Sequence, residues 1–136
     1  MSTVDPMQLP APDPSDPAGL DDLLTGDEKA VRAAVRQMLD RTAEPYVAEW
    51  FEQGEIPNVR ELAKELGALG VLGMHLEGYG CAGMSATEYG LACLEIEATD
   101  SGLRSLVSVQ GSLAMFAIWR WGSEEQKQEW LPQMAA

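Results

Sequence analysis

Gly78-Tyr79-Gly80-Cys81-Ala82-Gly83 spells G-x-G-x-x-G after an apolar run from Val71 to Leu76, and Asp100 stands 22 residues beyond Gly78. In a strand–loop–helix context those glycines would let a backbone approach a pyrophosphate at a helix N-terminus, with the acid on a ribose. The competing reading is a glycine-rich loop between helices. Gly70 and Gly73 weaken the supposed strand, and two helical patterns precede it where a dinucleotide domain would begin with the strand.

A second candidate lies downstream. Ser101, Ser105, Ser108 and Ser112 step by four, three and four residues along an apolar segment, and Arg104 borders that stripe. Small hydroxyls at that spacing can simply permit close helix packing, with Arg104 paired to Asp100 four residues back. They can also line a groove, with a guanidinium at one end able to grip a carboxylate through two parallel hydrogen bonds.

The other chemically capable residues carry less. His75 is the sole imidazole, and no nucleophile or carboxylate arrangement surrounds it in sequence, so it reads as structural. Glu95 and Glu97 share a turn of one helix, which does not make a catalytic pair. Trp50, Trp119, Trp121 and Trp130 read as packing anchors. Cys81 and Cys93 lack ligand spacing, so neither a disulfide framework nor a metal site is expected.

Helices must position these groups. Thr25 and Glu28 have capping-box spacing and open an amphipathic helix over about 26–53, bent near Pro45. A second helix covers 58–69, and six glycines between 67 and 83 predict a loop. Ser85 and Glu88 cap a third helix ending near Asp100. A fourth, over 102–121, is apolar on nearly all sides and is therefore expected to be central and buried. Ser123 and Gln126 cap a last segment, bent or interrupted by Pro132. No strand is needed. The fold class is all-α, a bundle of about five helices.

Composition excludes several functions. The chain has 136 residues and a formal net charge of −13, of which seven acids, and no Lys or Arg, fall in residues 1–28. So negative a surface repels phosphate backbones and anionic membranes. Five of the eight prolines fall within the first seventeen residues, and residues 1–24 read as a disordered acidic extension. The uncharged stretch between Arg104 and Arg120 is too short and too polar to span a bilayer. With no signal or transit pattern, the expected location is the cytoplasm.

From about Leu24 to Ala136 the chain resembles the N-terminal helical domain of the acyl-CoA dehydrogenases, and most closely their glutaryl-CoA branch. Leu66 to Gly83, Tyr89-Gly-Leu-Ala-Cys93, Asp100-Ser-Gly-Leu-Arg-Ser105, Val107-Ser-Val-Gln110 and Gly122 to Pro132 carry the resemblance. It implies an inter-helix loop at Gly78–Gly83, and contact of Arg104 and Ser105 with the distal carboxylate of a glutaryl-type acyl-CoA. It further implies an FAD enzyme of three domains, homo-oligomeric. A glutamate outside this chain takes the α-proton, the flavin takes hydride, carbon dioxide leaves to give crotonyl-CoA, and an electron-transfer flavoprotein reoxidises the flavin. The chain's length matches only the first domain, so the expectation is a truncated chain inactive alone. The alternatives are a non-catalytic module pairing with a separate flavin-domain chain, and a small nucleotide-binding domain using Gly78, Gly80 and Gly83.

Overall fold

The computed structural model describes Pro14 and residues 16–136. Three capping boxes predicted from spacing all form: Thr25, Ser85 and Ser123 each accept from the backbone N–H three residues on, and Glu28, Glu88 and Gln126 reach back. They open α1 (Gly26–Thr42), α4 (Ala86–Thr99) and α7 (Glu124–Ala135). The signal is legible because it is local, satisfying N–H groups that a helix start leaves without partners.

The first box also makes stability depend on acid. Thr25 donates to the Glu28 carboxylate from its backbone N–H at 2.7 Å and from its hydroxyl at 2.9 Å. These bonds hold Glu28 below its ordinary value of 4.5. A carboxyl depressed on folding contributes stability that is complete above its unfolded value and fades as pH falls through the folded one. Glu28→Gln, which removes the titrating group, is therefore expected to flatten the loss of stability from pH 5 to pH 3, read from urea midpoints; an unchanged acid slope would refute the assignment.

The long first helix is two. α1 stops at Thr42, Ala43 leaves helical geometry at φ −127°, a 3₁₀ turn covers Glu44–Tyr46, and α2 runs over Val47–Gln53. Pro45 has no N–H to give and disfavours a helical residue before it, so the chain is cut there. α3 (Val59–Ala68) follows and buries Leu62, Leu66 and Gly67. Across the glycine loop, β1 (Glu77–Gly78) and β2 (Cys81–Ala82) pair antiparallel, a short ladder that periodicity did not require. Tyr79, with φ 54°, turns the hairpin.

The fourth predicted helix is continuous but not uniform. It comprises α5 (Ser101–Ser108), a π-helical segment over Val109–Met115, and α6 (Phe116–Trp121). Its buried residues, Leu103, Val107, Gly111 and Met115, recur strictly every four. An α-helix advances about 100° per residue, so such a repeat drifts by about 40° per step. The wider π turns absorb the drift and keep one line of residues facing inward. Burial on all sides is not found: Val109, Leu113 and Trp121 are 53%, 64% and 76% exposed. α7 runs on through Pro132 to Ala135, without the interruption expected there.

α1 and α4 form the spine of the main core, where Val35, Met38 and Leu39 meet Ala92 and Ile96, with Leu62, Leu66, Leu103 and Val107 around them. A second cluster joins Leu76, Met115, Leu131 and Ala135. At the edge of the spine Arg36 Nε donates to Glu95 at 2.7 Å, and Arg32 binds Asp21 through both terminal nitrogens at 2.6 and 2.8 Å. Asp21 belongs to a 3₁₀ turn, Leu20–Leu23, within the span expected to be disordered; of that span, residues 1–13 and 15 lie outside the described residues.

Candidate functional site

α4, α5 and the glycine loop converge where the chemically capable residues stand. The Asp100 side chain accepts from Leu103 N–H at 2.9 Å and caps α5, so it is committed to the backbone. The expected Arg104–Asp100 pair is accordingly absent. The acid nearest Arg104 is Glu97, at 3.9 Å and 55% exposed, and Ser101 donates to the other oxygen of Glu97 at 2.8 Å. A contact so long and so wet contributes between nothing and about 1 kcal/mol. Arg104 is 38% exposed and keeps its guanidinium free to bind another anion. Glu95 turns to Arg36 and Arg32 on α1 while Glu97 turns to Arg104, so the two carboxylates serve different partners.

The serine stripe divides. Gly102, Ser105, Leu106, Val109 and Gln110 share one helix face and line an apolar cavity of about 550 Å³, closed on its far side by α3 and α7 residues including Lys64 and Met134. Arg104 stands about 100° around the helix from Ser105, and Ser108 and Ser112 follow it at four-residue steps. Ser112 Oγ lies 3.2 Å from the hydroxyl of Tyr89 on α4. Arg104 is close enough for its charge to act on that phenol, partly opposing the upward shift that burial imposes.

His75 holds Tyr89 from behind. The two rings lie 4.9 Å apart and are tilted by 44°. Burial pushes the imidazole below its ordinary value, so it is uncharged at neutral pH, and its buried Nδ1 has no hydrogen-bond partner. This placement depends on two glycines. A Cβ on Gly111 would stand 3.2 Å from Gly73 N and 3.3 Å from His75 Cε1, so the loop and the π-helical segment touch backbone to backbone. Sequence reasoning did not find Tyr89, because its partners at positions 75 and 112 are set by tertiary packing.

The glycine motif does not make a phosphate cradle. Its residues form the β1–β2 hairpin, and the following helix start is filled by its own capping box, with the Glu88 carboxylate accepting from Ser85 N–H at 2.7 Å. An anion arriving there would meet a carboxylate on the very amide it needs. Trp119 Nε1 donates to Glu77 O at 2.9 Å and ties the hairpin to α6. Cys81 and Cys93 are free thiols, and the described residues contain neither a metal-ligating cluster nor a helix long and apolar enough to cross a membrane.

Residues 25–136 match the family model for the acyl-CoA dehydrogenase N-terminal domain. Crystal structures of glutaryl-CoA dehydrogenase from Mycobacterium smegmatis, one in complex with FADH2, are 62% identical with a TM-score of 0.82, covering 86–87% of this chain and 30% of theirs. A chain in a structure described as the electron transferring flavoprotein of Acidaminococcus fermentans is 28% identical with a TM-score of 0.75, over 82% of this chain and 29% of that one. Mitochondrial isovaleryl-CoA dehydrogenase of Bos taurus is 31% identical over 119 residues, 85% of this chain and 28% of its own length. The chain thus spans under a third of the length of these relatives.

Proposed function

The chain belongs to the acyl-CoA dehydrogenase family, whose N-terminal domain it matches from residue 25 to residue 136, and on that premise we propose that it forms the acyl-binding wall of a glutaryl-CoA-type dehydrogenase. In this reading Arg104 holds the distal carboxylate of the acyl group and Ser105, the next residue on α5, contacts it from the side of the neighbouring cavity. The observation that carries this reading is the state of Arg104: half-exposed on α5, with Glu97 at 3.9 Å as its one ion-pair partner among the described residues. A guanidinium in that position can take both oxygens of a carboxylate, and it stays charged at every physiological pH.

The distal carboxylate is also the group such a reaction removes. Anchoring it on α5 fixes the far end of a five-carbon chain, which orients the α and β carbons for loss of a proton and a hydride. FAD supplies the hydride acceptor when bound. Gly78 to Gly83 form a hairpin, and the helix start that follows them is occupied by the Glu88 carboxylate on Ser85 N–H, so this loop does not offer the pyrophosphate cradle of a dinucleotide motif. The assembled enzyme is a homo-oligomer that passes electrons to an electron-transfer flavoprotein.

A substrate panel on the flavoenzyme assembled with this domain tests the reading. Glutaryl-CoA is expected to bleach the flavin and release carbon dioxide at least about tenfold faster, per unit kcat/KM, than hexanoyl-CoA bleaches it, since one charge-assisted hydrogen-bond pair discriminates by that much or more. Equal rates on the two thioesters would remove the carboxylate from recognition.

A further inference from the structure

We propose that the cavity between the β1–β2 hairpin, α6 and α7, lined by Glu77, Tyr79, Trp119, Arg120 and Lys127, binds an aromatic monocarboxylate: the two cations take its carboxylate and the two aromatic side chains take its ring. The cavity measures about 430 Å³ and shares no lining residue with the one beside Ser105. Volumes of about 300–1,000 Å³ are usual for small-molecule sites.

The cations single this cavity out. The chain carries nine Lys and Arg against 22 acids, and Arg32, Arg36, Arg41 and Arg104 each pair with a carboxylate. Among the described residues Arg120 and Lys127 pair with none. Arg120 is held instead over the ring of Trp121, 4.5 Å from its centroid. That contact engages the face of the guanidinium and leaves its N–H edge for an anion. It also gives Trp121, 76% exposed, a partner outside the core. The acids nearby set the charge of the ligand. Glu124 has both oxygens engaged, by the Tyr79 hydroxyl at 2.9 Å and by Gln128 Nε2 at 2.9 Å, and the Lys127 charge acts on it from beyond ion-pair range. With Glu77 on the wall and a net charge of −13 around it, the site accommodates a single negative charge and repels a phosphate dianion.

The rings are fixed in advance. Trp119 Nε1 donates to Glu77 O at 2.9 Å, and the indole stacks on Phe116 with ring centroids 6.1 Å apart. Tyr79 and Trp119 are both half-buried against the second core cluster, which leaves their other sides to the cavity. Tyr79 is also the only non-glycine residue with a positive φ among the described residues. The left-handed region is costly for an L side chain, and such strain collects at binding sites. Glycine would turn this hairpin without that cost, so what the tyrosine adds is its ring. Rings that are already rigid take a flat partner by offset or edge-on stacking, with little ordering left to do on binding.

Equilibrium dialysis of 2-naphthoate against the assembled flavoenzyme tests the site. A single saturable site per chain is expected, with cyclohexanecarboxylate and 2-naphthamide each at least about tenfold weaker, the first for want of an aromatic ring and the second for want of a charge. Arg120→Gln should weaken 2-naphthoate about tenfold and Lys127→Gln about threefold, while Arg104→Ala leaves it within about twofold. Arg120 and Lys127 lie outside both core clusters, so the two variants are expected to fold, and either one alone carries the question. No saturable binding, equal binding of the three probes, or full binding in both variants overturns the proposal. Loss in Arg104→Ala with retention in Arg120→Gln overturns it too, because the anion then sits at the acyl wall.

Discussion

Arg104→Ala is expected to lower kcat/KM for glutaryl-CoA about a hundredfold in the assembled flavoenzyme and that for hexanoyl-CoA less than about threefold. Two decades correspond to about 3 kcal/mol, the scale of a two-pronged charge-assisted interaction lost from a partly desolvated site. Lysine at 104 restores the charge but not the planar fork, and should recover about one of the two decades. The same substitution costs the fold little. The Glu97 contact is 3.9 Å long, and both side chains are more than a third exposed, so circular dichroism melts of wild type and variant should agree within a few degrees. A variant that lost activity equally on both thioesters, or that melted far below wild type, would place Arg104 in the scaffold instead.

A large loss of stability from a single added methyl group is expected at Gly73, where backbone strain and a packing clash coincide. Its φ of +66° lies in the left-handed region, which costs an L side chain about 1–2 kcal/mol. A Cβ there would also stand 2.9 Å from Met115 Sδ and closer still to its Cε, and Met115 is fully buried. Methionine bends more readily than other core residues, so the overpacking adds about 1–2 kcal/mol. Gly73→Ala should therefore lose about 2–4 kcal/mol, read as a lowered urea midpoint at unchanged slope. Gly78→Ala is the control, because its φ is +77° but its Cβ would meet nothing within 4 Å. It should show the backbone cost alone, and equal losses at the two positions would discard the packing account.

How far the sequence reveals these features follows from their range. The capping boxes at Thr25, Ser85 and Ser123 are legible because donor and acceptor lie three residues apart. The cut at Ala43 is half legible: Pro45 announces a disturbance, but a bend and a break carry the same composition. The fourth helix shows where hydropathy stops short. Counting apolar residues says how oily a helix is, not how many of its sides find partners, and Leu113 and Trp121 remain in solvent. Arg104 and the serines are visible as a cluster, yet Ser105 faces a cavity beside Lys64 while Ser112 meets Tyr89. That division depends on the π-helical segment, for which no single residue between 109 and 115 gives a signature.

The same segment separates the two halves of the rod in an evolutionary sense. A helix that already carries a surplus residue can gain or lose one at the widened turn without rewinding its ends. The half bearing Arg104 and the half bearing Trp119, whose indole is tethered to the carbonyl of Glu77, can therefore change independently. Residues on the first half can then be exchanged while the second keeps its grip on the hairpin.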